Sequence, residues 1–181
     1  MKRMLLISVI VGGFVSAWFV RDGRSSTATE PLAHFRSEFN FVVKAPMEVT
    51  APLFGQDAER GWGGGAWNPQ FFYPQPGRDV QGAVFAVRHG QHESIWVTTV
   101  FDIQGGHVQF VSVVSGATAT TIDIHIAPHG KDNSTVNVAY ERTALDPQAN
   151  EHIQELAKAD ADSGPHWESA ISDYLQHRSE H

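Results

Sequence analysis

Ten histidines, a Tyr–Arg pair on one strand, a dense set of aromatic residues and a glycine run carry the chemical potential of this 181-residue chain. There is no cysteine, so disulfides, thiolate metal sites and cysteine nucleophiles are excluded. His89 and His92 flank Gly90-Gln91, and His125 and His129 lie four apart where a strand runs into a turn. Neither pair has the helical HExxH setting that brings two imidazoles onto one ion, and no metal or cofactor is expected. His125 shares parity with Asp123 and opposes Ile122, Ile124 and Ile126, which places it on a wet face. GxSxG, Walker and GxGxxG motifs are absent. The Gly61–Gly65 run lacks the Lys-Ser/Thr ending and the helix of a phosphate loop, and reads as a lid or turn.

Acid–base work needs a titratable group inside a cavity. Asp102, His107, Glu141 and Arg142 are the strand-borne candidates. Arg142 shares parity with Tyr140, so both can face the interior, where a guanidinium and a phenol would orient a carboxylate or a phenolate-like ligand. The plainer alternative is a strand-end arginine paired with a surface acid. No catalytic residue is assigned.

The aromatics argue for a ligand pocket. Trp62 and Trp67 sit in the glycine-rich loop. Phe85, Trp96, Phe110 and Tyr140 sit on strands, and Trp167 and Tyr174 share the last helix with Ile171. With Arg142 these are the expected ligand-binding residues, since apolar pockets are lined by such side chains and a few polar anchors. Ordinary core packing is the competing reading.

These residues must be held by elements whose signals recur along the chain. Phe39–Val43 reads as a strand, ended by Ala45-Pro46. Met47, Val49, Leu53 and Phe54 give a short apolar helix face closed by Gly55. Strand signals follow at 70–73, 83–89, 94–102, 107–114, 118–127 and 135–143, separated by Gly- and Pro-bearing turns. Short turns between adjacent runs imply antiparallel hairpins. Asp146-Pro147 is a cap with proline at the first helical position. Ser163-Gly164-Pro165 interrupts or kinks the terminal helix, and Trp167, Ala170, Ile171 and Tyr174 then fall at i, i+3, i+4, i+7. The expected fold is α+β. A curved antiparallel sheet of about seven strands wraps a long C-terminal helix, with a short helical pair after the first strand, and leaves a cavity between helix and sheet.

The order of local patterns resembles the SRPBCC superfamily, which holds START, Bet v 1-like and polyketide cyclase/dehydrase-like proteins of helix-grip fold. It rests on Phe39-Asn40-Phe41-Val42-Val43-Lys44-Ala45-Pro46-Met47-Glu48-Val49 and Glu59-Arg60. It rests also on Phe72-Tyr73-Pro74, Gly82-Ala83-Val84-Phe85, Ile95-Trp96-Val97-Thr98 and the closing Trp167-Glu168-x-Ala170-Ile171-x-x-Tyr174-Leu175. The resemblance covers about residues 37–177. It implies a hydrophobic small-molecule ligand (lipid, sterol, polyketide or aromatic compound). Some members are cyclases or hydrolases, and no universal catalytic residue can be carried over.

Outside that domain, Lys2-Arg3 precedes an uncharged apolar run, Met4–Val20, ended by Arg21-Asp22. Residues 1–20 read as a signal peptide or membrane anchor and 21–36 as a polar tether. The positive charge ahead of the run places the domain on the non-cytoplasmic side, the alternative being a cytoplasmic protein. Any membrane contact then runs through that segment. The net charge is −7, and eight of the 20 acidic residues fall within 145–181 beside only Lys158 and Arg178. This argues against nucleic-acid binding, which needs clustered bases, and marks a solvated acidic face or a docking surface. Three functions remain open: carriage of an apolar small molecule, a cyclase/dehydrase-type enzyme acting on one, and a protein-interaction module using the acidic helix.

Overall fold

Alternation of apolar and polar side chains builds the sheet, with one face buried and one wet. In a computed structural model that describes residues 30–90 and 92–179, the strands are β1 His34–Val43, β2 Gln70–Tyr73, β3 Val84–His89, β4 His92–Asp102, β5 His107–Val114, β6 Thr118–Pro128 and β7 Ser134–Ala144. They form one seven-stranded antiparallel sheet in the order β1-β7-β6-β5-β4-β3-β2. The fold class is as expected. The signal-peptide or anchor segment and most of the tether lie outside the described residues. Among the described residues no helix is long and apolar enough to cross a membrane.

The register lays out the inner face in rows. One row joins Phe39, Val138, Ile124 and Val108, and the next joins Tyr140, Ile122, Phe110 and Thr98. A third runs from Phe35 through Arg142, Thr120, Ser112, Trp96 and Phe85 to Phe71. Most of these side chains are buried, and each fully buried Val, Ile or Phe contributes about 1.5–3 kcal/mol.

After β1, Pro46 opens the short helix α1 (Met47–Thr50), which tightens into 3-10 turns at Ala51–Phe54 and Ala58–Gly61. At the other end Asp146 accepts the Gln148 N–H at 2.9 Å and Pro147 follows, as the sequence predicts. The terminal helix is two helices, α2 (Asn150–Asp160) and α3 (Ser163–Ser179). The break falls at Ala161-Asp162, ahead of the Ser163-Gly164-Pro165 expected to kink it. Pro165 lies in the first turn of α3, where its missing N–H costs nothing. Gly164 brings α3 against β1, since a Cβ there would stand 2.9 Å from the carbonyl oxygen of Asn40.

β1 begins three residues before the expected domain start at 37. His34, Phe35 and Arg36 pair with Thr143, Arg142 and Glu141, so they belong to the sheet and not to a tether. Phe35 and Ala33 pack on Ala144, Ala149 and Ile153, a second small core that pins α2. The Ala33 N–H donates to Asn150 Oδ1 at 2.8 Å.

Candidate functional site

Trp167 is the hub of the interior. Its ring meets Phe39 edge-on at 5.4 Å, Trp62 at 5.3 Å and Phe41 at 6.3 Å, and stacks on Phe54 at 6.3 Å. These side chains come from α3, β1 and the segment after α1. A second group joins β3, β4, β5 and the glycine-rich loop. Trp67 stands perpendicular to Trp96 at 5.3 Å, Phe85 stacks on Trp96 at 5.8 Å, and Phe110 closes on both. Ile171 is fully buried between sheet and helix. Tyr174 covers Gly61, where a Cβ would strike its ring. All ten residues named from the sequence as ligand-binding therefore face the interior or its rim. Their contacts are with one another and with Phe39, Phe41, Phe54 and Asp160.

The polar handles of the tryptophans are largely committed. Trp62 Nε1 donates to the Leu53 carbonyl at 2.7 Å, Trp67 Nε1 to the Gln56 carbonyl at 2.9 Å, and Trp96 Nε1 to Ser94 Oγ at 2.7 Å. These indoles offer a ligand their faces rather than their N–H groups.

Arg142 and Tyr140 share the inner face as parity predicts, and the guanidinium carbon sits 4.1 Å from the Tyr140 ring centroid. The partner of Arg142 is Asp160 of α2. Nη2 donates to Oδ1 at 3.1 Å, Nη1 donates to Oδ2, and Ser37 Oγ donates to the same Oδ2. Both side chains are less than a tenth exposed, so this is neither a surface pair nor a free anchor for a carboxylate. Asp160 continues the stripe of Ile153 and Ala157 at i+7. That position was the available signal for a buried acid.

Of the other strand-borne candidates, none enters the interior. Asp102 is exposed and accepts the Gly105 N–H at 2.8 Å in a turn. Glu141 lies on the outer face with Arg36 at 2.9 Å. His107 lies on the outer face beside Asp123.

The interior acid that sequence reasoning passed over is Glu59. It follows Asp57 and Ala58, whose N–H groups donate to Asp79 at 2.6 and 3.2 Å. Burial first, and then the charge of Asp79, push the Glu59 carboxyl up to about 8. Burial likewise raises Asp79 against those backbone hydrogen bonds. Burial raises the Tyr140 phenol too; Arg142 opposes it, and Asp160 and Glu59 add to it. Glu59 keeps a minor share of its surface accessible. The carboxyl of Glu59 and the hydroxyl of Tyr140 have no hydrogen-bond partner among the described residues, and since no buried side-chain polar atom there is unpaired, both keep some contact with solvent.

The raised Glu59 has a consequence for stability. The folded chain holds a proton on it at pH values where the unfolded chain has lost it, so stability falls as pH rises from about 4.5 to about 8. Glu59→Gln should flatten the melting temperature against pH across that window and leave it little changed at pH 4. An unchanged slope would show that the Glu59 carboxyl is solvated.

No family model matches this chain, and no curated protein matches it in sequence. Solved structures do match its fold. Norcoclaurine synthase from Thalictrum flavum superposes with TM-score 0.60 at 13% identity, covering 89% of this chain and 99% of that one. The same enzyme in complex with dopamine and hydroxybenzaldehyde gives 0.58 at 16%, covering 90% and 98%. An uncharacterized protein from Rhizobium leguminosarum gives 0.59 at 10%, covering 81% and 97%. The chain shares the helix-grip fold of these structures, the architecture that its sequence resemblance implies. At these identities the likeness fixes the architecture and leaves the activity to the site.

Proposed function

We propose that the chain binds an aromatic or otherwise apolar small molecule between the sheet and α3, with a polar end held at Glu59 and Tyr140. One observation carries this reading. A carboxyl and a phenol, both half-buried and both without a protein partner, stand at the edge of an interior otherwise lined by aromatic rings. A ligand hydroxyl or amine would replace their remaining contact with water by a direct hydrogen bond, worth about 0.5–1.5 kcal/mol. A neighbour of the same fold holding dopamine and hydroxybenzaldehyde is consistent with a ligand of that size and character. Arg142 serves here through Tyr140, whose ring it covers, because its donors are spent on Asp160.

Glu59 also supports a second reading, a cyclase/dehydrase-type enzyme. A carboxyl poised at about 8 is protonated at neutral pH and exchanges its proton near the working range, as a general acid–base needs. The exposed acids Glu151, Glu155, Asp162 and Asp173 form a solvated face, and nothing among the described residues favours the interaction-module reading. Export or anchoring through residues 1–20 belongs to the proposal, and fractionation with and without that segment tests it.

Native mass spectrometry of the purified chain, with extraction of what co-purifies, tests the binding reading directly. Titration with 4-hydroxybenzaldehyde tests its polar end. Tyr140→Phe should weaken that affinity by about 3- to 10-fold, the worth of one hydrogen bond, with little change in melting temperature. The absence of both a co-purifying small molecule and saturable aldehyde binding would sink the proposal.

A further inference from the structure

The outer face of the sheet carries a grouping that neither the aromatic interior nor the proposed ligand site uses. His107 of β5 and His125 of β6 are direct cross-strand partners, and their rings lie 4.3 Å apart, nearly parallel. Asp123 precedes His125 by two residues and therefore shares its face. His107 Nε2 donates to Asp123 Oδ1 at 2.7 Å, and His125 Nε2 donates to Oδ2 at 3.2 Å. One ligating atom from each of the three residues falls within 4.8 Å of the others.

We propose that His107, Asp123 and His125 form a binding site for a divalent first-row transition ion such as zinc. Two imidazoles and a carboxylate are the donor set that such ions prefer over magnesium or calcium, which take oxygen. Ligating atoms around an ion at about 2.0–2.2 Å stand roughly 3.3 Å apart in a tetrahedron; here the two imidazole nitrogens lie 2.7 and 3.2 Å from the Asp123 oxygens. Closure needs only that the two rings splay until their lone pairs converge, and His125 is exposed enough to turn.

The surroundings favour an ion over a plain His–Asp contact. Thr99 Oγ1 donates to Gln109 Oε1 at 2.8 Å, and Gln109 Nε2 donates to Asp123 Oδ1 at 3.0 Å, so the carboxylate is oriented from behind. Two hollows flank Asp123, of about 200 and 300 Å³, and give room for water on the remaining coordination positions. Glu38 and Glu141 line them, and the one cation there, Arg36, is paired with both. Three protein ligands with positions open to solvent describe a site that exchanges its ion or presents it to a ligand, rather than a closed structural centre.

The test uses the untagged chain stripped with chelator and titrated with zinc chloride by calorimetry, with cobalt absorption as a second reading. Binding should be one to one with a dissociation constant below about 10 µM, and bound cobalt should show visible d–d bands. His107→Ala, His125→Ala and Asp123→Asn should each weaken binding by at least about 10-fold. His166→Ala and His177→Ala, on α3, should leave it unchanged. Circular dichroism in metal-free buffer checks that each variant folds. Anomalous density at the zinc edge in soaked crystals places the ion without any variant. No saturable binding up to about 100 µM, stoichiometric binding that survives loss of both His107 and His125, or an ion located elsewhere each overturns the proposal.

Discussion

Asp160→Ala is expected to lower the unfolding free energy by about 3–5 kcal/mol, the usual result of stranding one member of a buried ion pair. Arg142 and Asp160 are each less than a tenth exposed. Truncating Asp160 leaves a guanidinium between β7 and α2 with only Ser37 Oγ, at 3.3 Å, and the Tyr140 ring as partners. The loss is a fault of the unpaired charge and not the worth of the pair, so a second variant separates the two. Arg142→Met together with Asp160→Leu should recover most of the loss, because apolar replacement of a buried pair is often neutral or stabilising. Urea unfolding at two salt concentrations reads both results. The single variant's penalty should be nearly independent of salt, since buried charges are screened little. A penalty under about 1 kcal/mol, the range of an exposed pair, would show that water reaches Asp160.

Alternation and helical spacing made much of this molecule legible. Thr121–Ile126 reads as a half-buried strand and is one, and the stripe of Trp167, Ala170, Ile171 and Tyr174 packs on the core as its spacing requires. What was hidden depends on pairing between distant segments. Ser37 interrupts the apolar alternation of Phe35, Phe39 and Phe41, so the continuous apolar signal begins only at Phe39, yet all four lie on one face. Asp160 sits in an acidic stretch that reads as solvated, and only the fold turns it toward Arg142, 18 residues away. Glu59 carries no periodic signal, because its burial comes from the glycine-rich loop that folds back on it at Gly63 and from its closeness to Asp79. The His107–Asp123–His125 grouping depends on the β5–β6 register, which linear spacing does not supply. The aromatic interior was legible in kind but not in arrangement, and the contacts among Trp62, Trp167 and Phe54 show residues that serve packing as well as any ligand.

That double role makes Trp167 the most informative position in the chain. Trp167→Ala should cost about 3–5 kcal/mol, as large-aromatic truncations in a core do, because its ring contacts Phe39, Phe41, Phe54 and Trp62 at once. A ring removed from that centre leaves a void between α3 and β1, and Gly164 already holds those two backbones as close as they can come. The site therefore has little freedom to collapse. The alanine variant measures packing alone, since core and pocket readings both predict it. Trp167→Phe keeps most of the packing and changes the wall. If the ligand lies under α3, this variant shifts the affinity for 4-hydroxybenzaldehyde by clearly more than it shifts stability. Ile171→Val, one turn further along the same stripe, should do the same on a smaller scale, with a stability cost of about 0.5–1.5 kcal/mol. Parent-like affinity in both variants would assign the stripe to the core and move the ligand to the Trp67–Trp96 group, beneath the glycine-rich loop.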